Sequence, residues 1–264
     1  MKRLISLAVL LMIAAAPLAI AQEDSGPITW LSFEITKSGK SRDLIGASIK
    51  SDGPMYDELL ANGTLSSWGI AIPITHTPHD HMNFMLWATM SDWSKVTDLE
   101  AGFMKLFASR TPEETAESMK SYNEAVVEGS HHDWIIRHHV YQQGSGDQTP
   151  KYFRIGYYKA TPGNAGKITG IYKKHLQPVY EKLLADGTIT SFGLSTQEIH
   201  GVGDWTHIGW YTMSNLGSID KVQAAVDAAF TEEMGAEIGP LMDPSAHWDQ
   251  VLLIVHLGGT TPEM

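Results

Sequence analysis

From Ile28 onward the chain alternates apolar and polar residues: Leu31, Phe33 and Ile35 fall on one side of an extended segment, Trp30, Ser32 and Glu34 on the other. A period of two marks a β-strand. After Arg42 the spacing becomes helical, with an interruption at Gly53-Pro54. Proline is best tolerated in a first turn, so Pro54 predicts the start of a second helical segment. Asn62-Gly63 supplies a C-cap that admits left-handed backbone. Strands are predicted over 65–75 and 83–90, then a helix with Val96, Leu99, Phe103 and Leu106 at helical spacing. Thr111-Pro112-Glu113-Glu114 has the form of a capping box and opens a further helix. A strand over 134–141 closes the series. The same series then recurs: a strand over 152–160, a helix carrying Ile168, Ile171, Tyr172, Leu176, Val179 and Leu183, strands over 189–197 and 205–213, a helix over 219–233 and a strand over 250–257.

The recurrence is written in the residues. Tyr56 to Ile70 reads YDELLANGTLSSWGI and Tyr180 to Leu194 reads YEKLLADGTITSFGL, identical at eight of fifteen positions and offset by 124 residues. The same offset aligns Gly46 with Gly170, Pro54 with Pro178 and His76 with His200. LWATMS, from Leu86, matches GWYTMS, from Gly209, and His131-His132-Asp133 matches His247-Trp248-Asp249. A unit of this length is a duplicated domain, since solenoid repeats run about 20–50 residues. The organisation read from it is a first βαββαβ repeat over 28–143, a linker over 144–150 with Gly144-Ser145-Gly146-Asp147, and a second repeat over 151–259. The fold class is α+β. A βαββαβ unit is ferredoxin-like and covers one sheet face with its helices, so the other face must be buried by something else. Two copies in one chain can bury those faces on each other.

This tandem, with its helix-to-strand passage LLANGTLSSWG / LLADGTITSFG, resembles the dimeric α/β-barrel superfamily in fused form. The resemblance covers nearly all of 28–259 and rests on topology and duplication. It implies two four-stranded sheets packed into an α/β barrel, each in the order 4-1-3-2. The superfamily includes cofactor-free monooxygenases, isomerases and haem enzymes, and no shared catalytic motif transfers to this sequence.

Composition narrows the chemistry. The chain has 264 residues, no cysteine and a formal charge of −11. Disulfides, thiolate catalysis and Cys-ligated metals are excluded, and so acidic a chain is a poor partner for nucleic acid. Lys2 and Arg3, the apolar run Leu4 to Ala16 and the small-x-small Ala19-Ile20-Ala21 form an export signal over 1–21, which leaves no membrane anchor after cleavage. The mature chain is expected to begin at Gln22 with a charge of −13 and to be periplasmic or extracellular. Outside the cytoplasm there is no nicotinamide or ATP pool, and no GxGxxG or P-loop is present. No CxxCH occurs, so a haem would have to be held noncovalently.

Site expectations follow from the faces of the central strands. With Ile155, Tyr157, Ile208 and Trp210 taken as helix-facing, the barrel face of repeat 2 carries Arg154, Gly156 and Tyr158 beside His207, Gly209 and Tyr211. Repeat 1 offers Trp30, Ser32 and Glu34 with Phe84, Leu86 and Ala88. This assigns Arg154, Gly156 and Gly209 to ligand binding, Arg154 as an anion anchor, and His207, Tyr158, Tyr211 and Glu34 to proton transfer. A shift of one residue would reverse every face. His76, His79 and His81 in HTPHDH are candidate metal ligands. His131/Asp133 and His247/Asp249 read as hydrogen bonds at strand entry, and of His138 and His139 only one can face the barrel. The expected function is binding of a small, partly aromatic or anionic molecule in the cleft between the repeats. The alternatives are a cofactor-independent monooxygenase or isomerase, and a His-rich metal-binding exported protein. The chain is expected to be a monomer with an internal pseudo-dimer, or a homodimer.

Overall fold

The computed structural model describes residues 26–74, 84–146, 148–199 and 205–259. The export signal at 1–21, the HTPHDH histidines and His200 lie outside them. Eight strands, β1 (Ile28–Glu34), β2 (Ser67–Pro73), β3 (Phe84–Met90), β4 (His132–Gln143), β5 (Tyr152–Tyr158), β6 (Ser191–Gln197), β7 (His207–Met213) and β8 (Trp248–Leu257), form a closed antiparallel barrel. Its order is β1-β3-β2-β8-β5-β7-β6-β4. Each repeat thus keeps the order 4-1-3-2, and two seams, β2 with β8 and β4 with β6, join the halves edge to edge. Closure within one chain leaves no free sheet edge.

Helices coat the outside. In repeat 1 they are α1 (Ser41–Ser51), α2 (Gly53–Ala61), α3 (Ser94–Ser109) and α4 (Pro112–Ala125). Pro54 sits in the first turn of α2, Gly63 takes the left-handed conformation at φ 77°, and Thr111 and Glu114 make the expected capping box on α4. Repeat 2 carries α5 (Ala165–Ile171), α6 (Gln177–Ala185), α7 (Ser218–Ala229) and α8 (Glu232–Ile238). Between α5 and α6 the chain runs through a π-helical turn, Tyr172–Leu176, immediately before Pro178, which has no N–H to continue an α-helical ladder. The single helix expected over 219–233 is two. It breaks at Phe230, and Thr231 caps α8 by accepting from the Met234 N–H. α8 therefore starts at the counterpart of α4, shortened to about two turns. Among the described residues no helix is long and apolar enough to cross a membrane.

Burial falls into three layers. Ile28, Leu44, Tyr56, Trp68, Phe84 and Leu99 fill the space between sheet and helices in repeat 1. Tyr172, Tyr180, Leu183, Phe192, Tyr211 and Val222 do so in repeat 2. The third layer is the barrel interior, with Leu31, Phe33, Trp134, Ile155, Tyr157, Ile208 and Trp210.

Candidate functional site in the barrel interior

The face assignment from sequence is reversed. Ile155, Tyr157, Ile208 and Trp210 point into the barrel, and the neighbours assigned to it point at the helices. Alternation separates two faces but names neither, and here both faces are buried, so polarity does not tell inside from outside. The apolar face went inward.

The displaced candidates still gather, on the helix side of repeat 2. Arg154 Nη2 donates to Asp249 Oδ1 at 2.7 Å, and its guanidinium lies 5.7 Å from the Tyr211 ring centre. Gly156 and Gly209 are cross-strand partners. A Cβ on Gly156 would fall 2.8 Å from the Tyr158 hydroxyl and from Asp249 Oδ1, so the glycine makes room for side chains of the protein itself. Tyr158 stacks on His247 at 4.7 Å. His207 uses both nitrogens: Nε2–H donates to the Ala165 carbonyl at 3.2 Å, and Nδ1 accepts from the Thr206 hydroxyl at 2.8 Å. Burial lowers its pKa to about 4.

Glu34 is in the other repeat and does not meet them. Its Oε1 accepts from the Tyr122 hydroxyl on α4 at 2.9 Å and from His131 Nδ1 at 3.1 Å. His131 Nε2 donates to Asp133 Oδ2 at 3.2 Å, the bond expected at strand entry. Bonds to Asp133 and Glu34 raise His131 to about 10, so the ring is a cation tying the end of β1 to the start of β4. Among the described residues no group of three or more His, Asp or Glu is arranged to hold a metal ion.

Inside the barrel the structure shows a site the sequence did not assign. A cavity of about 120 Å³ opens at the end where β1, β2, β5 and β6 begin. Its apolar wall includes Leu31, Trp87, Ile136, Phe153, Ile155 and Trp210, and among the described residues no charged side chain lines it. The two tryptophans lie across glycines on the neighbouring strand, Trp87 on Gly69 and Trp210 on Gly193.

His138 is the polar centre of this wall. His138 faces inward by alternation with Trp134 and Ile136, and a β-bulge in the β4–β6 seam between His138 and Val140 turns Val140 to the helix-facing layer. His138 Nε2 and Thr29 Oγ1 are 2.7 Å apart, and Thr29 Oγ1 is 2.8 Å from Thr89 Oγ1. On the other side Nδ1 is 2.7 Å from Ser195 Oγ, which accepts from Trp210 Nε1–H at 3.2 Å. The chain is consistent with a neutral imidazole: the Ser195 hydroxyl donates to Nδ1, Nε2–H donates to Thr29, and Thr29 donates to Thr89. Burial lowers His138 to about 3, which keeps it neutral at physiological pH. A signal for this wall was present in the duplication. Ser67/Ser191, Trp87/Trp210 and Thr89/Thr212 are identical between copies, and all line the cavity.

No protein-family model matches the chain, and no curated protein matches it. Among solved structures, the chain is similar to a candidate monooxygenase from Fusobacterium nucleatum subsp. nucleatum, with a TM-score of 0.59 and 11% identity over 90% of this chain and 96% of that one. It is also similar to an anthrone oxidase-like protein, with a TM-score of 0.52 and 10% identity over 92% of this chain and 98% of that one. Identities this low speak for the fold alone. The chain has the dimeric α/β-barrel fold, with both ferredoxin-like halves fused in one polypeptide.

Proposed function

We propose that this protein binds one small, neutral, single-ring aromatic molecule inside the barrel. The observation that carries the reading is the cavity between Trp87, Phe153 and Trp210, with the His138 hydroxyl chain in its wall. Size sets the class. An apolar cavity of roughly 150 Å³ holds a benzene molecule, and pockets for drug-sized ligands run about 300–1,000 Å³. At about 120 Å³ the cavity suits one ring with a small polar substituent. A three-ring anthrone, which the name of one structural neighbour brings to mind, exceeds it, and so does a haem. The anionic ligand expected from sequence loses its anchor, because Arg154 faces the helices and is paired with Asp249. The Thr29 and Thr89 hydroxyls favour a phenolic or carbonyl substituent. Thermal unfolding in phenol and p-cresol tests this: a ligand at 100 times its dissociation constant adds about 2.7 kcal/mol. A transition unmoved by both overturns the proposal.

A second reading makes the same pocket catalytic, in a cofactor-independent monooxygenase or isomerase. It is favoured by one feature, a neutral imidazole beside the Thr29 and Thr89 hydroxyls: in the tautomer with Nδ1–H donating to Ser195 Oγ, Nε2 accepts from Thr29 and can take up the proton of a bound ring hydroxyl relayed through Thr89 and Thr29. His138 then takes the role the sequence reading gave to His207. His138→Gln separates the two: loss of turnover with binding retained supports catalysis, and absence of turnover in the unaltered protein supports binding alone.

Export is part of the proposal. Mass spectrometry of the secreted or periplasmic protein should find Gln22 at the N-terminus, and an intact Met1 would refute it. A metal site at HTPHDH belongs with it as a separate proposal, tested by elemental analysis of untagged protein.

A further inference from the structure

The duplication places two threonines on opposing walls of the barrel cavity, and their hydroxyls are used differently. Thr89 on β3 and Thr212 on β7 hold the same position in their repeats, and both line the cavity. Their strands stand four places apart in the ring of eight. Thr89 pairs across the strands with Thr29, whose hydroxyl leads to His138. Thr212 pairs with Phe153, whose side chain has no hydrogen-bonding group. Its hydroxyl bonds on the β6 side instead: Oγ1 is 2.6 Å from Thr190 Oγ1 and also meets Ser191 Oγ.

This second hydroxyl chain has a proton left over. Thr190, Thr212 and Ser191 share two hydrogen bonds, and each hydroxyl brings one proton. Whichever way the protons point, one O–H has no acceptor among the described residues. It is carried by Ser191 or Thr212 in the cavity wall, or by Thr190 just outside it. Ser191 and Thr212 face inward, since their strand neighbours Phe192, Tyr211 and Met213 belong to the helix-facing layer. The cavity therefore offers hydroxyls from two opposing walls.

Beside the second chain there is space. A cleft of about 440 Å³ lies between the linker and α6, with Thr190 in its wall. It shares Gln143, Pro150, Ser191 and Thr212 with the cavity. Among the described residues that line it, Glu181 is the one with a charged side chain. Glu181 Oε1 accepts from Gln142 Nε2 at 2.8 Å and from Gln177 Nε2 at 2.9 Å, bonds that lower its pKa and keep it ionised. After Ala21, the residues outside the described ones include no Lys or Arg that could add a cation. An anionic substituent would meet this carboxylate uncompensated, whereas a neutral acceptor meets an O–H.

We propose that the ligand of the barrel is a phenol with a second, neutral oxygen substituent para to its hydroxyl. The phenol hydroxyl sits at Thr29 and Thr89, and the second oxygen accepts from the Ser191–Thr212–Thr190 chain on the opposing wall, at the linker cleft. This rests on the reading of the barrel as a site for one aromatic ring and adds the class: para-hydroxyaryl alcohols, ethers and carbonyl compounds.

The test is calorimetric titration of the full chain with 4-ethylphenol, 4-hydroxybenzyl alcohol and 4-hydroxybenzoate. The first two have the same shape and exchange a methyl for a hydroxyl. A Ser191→Ala/Thr212→Val variant removes both hydroxyls by which the second chain reaches the cavity. It should weaken the alcohol about fivefold, the loss of one neutral hydrogen bond, and leave 4-ethylphenol at least as tightly bound. Retained 4-ethylphenol binding also shows that the variant is folded. In the unaltered protein, 4-hydroxybenzoate should bind about tenfold more weakly than the alcohol, a comparison that needs no variant. An equal loss for alcohol and ethylphenol overturns the proposal, as does an unchanged alcohol or a benzoate that binds as tightly as the alcohol. If 4-ethylphenol fails to bind the unaltered protein, the barrel reading itself falls and this inference with it.

Discussion

Gly193 on β6 and Trp210 on β7 are direct cross-strand partners, and the indole lies so close over the glycine that a Cβ there would fall 2.5 Å from its Cζ2. Repeat 1 has the same pair: Gly69 faces Trp87, and a Cβ would fall 2.4 Å from its Cη2. Both indoles wall the cavity, so each repeat builds its share of the pocket with one glycine and one tryptophan. Gly193→Ala must push Trp210 into the cavity or distort the β6–β7 pairing. Overpacking of this kind costs about 1–3 kcal/mol. Urea denaturation should show that loss, together with weakened phenol binding, and Gly69→Ala should behave alike. Wild-type stability and affinity in both variants would mean that the indoles are free to move and do not define the pocket.

The helix-side cluster of repeat 2 gives a contrasting prediction. Arg154→Met removes the partner of Asp249 at 2.7 Å. Asp249 is 43% exposed, so solvent takes over much of the pair, and the cost should be about 1 kcal/mol. Binding of phenol should be unchanged, because the strand separates Arg154 from the cavity. A large loss of affinity, measured calorimetrically, would return the ligand to the side first assigned from sequence.

How far the sequence was legible follows from these residues. Duplication and periodicity carry the succession of strands and helices, the break before Pro54 and the capping box at Thr111, and the 4-1-3-2 order comes from the resemblance to the dimeric α/β-barrel superfamily. They do not carry the side on which a strand residue points. Arg154, Tyr158 and His207 are polar, yet they are covered by Tyr172, Tyr180 and α5, while Ile155 and Ile208 line the pocket. The difference between copies drew attention to the wrong face; the identities at Trp87/Trp210 and Thr89/Thr212 mark the right one. His138 was legible only as one of an adjacent pair, because alternation along β4 does not say which of its faces is inside.

His138 and His207, two of the three buried histidines whose pKa burial lowers, set much of the acid limb of stability. Burial lowers His138 to about 3 and His207 to about 4 in the folded chain, against about 6.5 when unfolded. The unfolded chain binds both protons first, so these groups leave stability unchanged above pH 6.5 and erode it below. The slope is about 1.4 kcal/mol per pH unit for each group, ending near pH 4 for His207 and near pH 3 for His138. Chemical denaturation between pH 7 and pH 4 should show this loss, and His138→Gln should remove its own share of the slope. An identical slope in the variant would show that His138 does not titrate as a buried neutral group.

His131 works in the opposite direction. Its pKa is raised to about 10 by bonds to Asp133 and Glu34, so its contribution is full below 6.5 and disappears as pH rises through 10. His131→Gln should lower stability most near pH 6, and the gap from the unaltered protein should close by pH 10. With the ring 48% exposed, solvent screening keeps the effect modest. A gap independent of pH would show that the ring acts by packing and not by charge.

The most direct test of the account is a crystal structure of the protein grown with p-cresol. One ring is expected within the barrel, against Trp87, Phe153 and Trp210, with its hydroxyl at the Thr29–Thr89–His138 chain. A barrel interior closed by its own side chains, or a cresol bound on the helix side near Arg154, would contradict it.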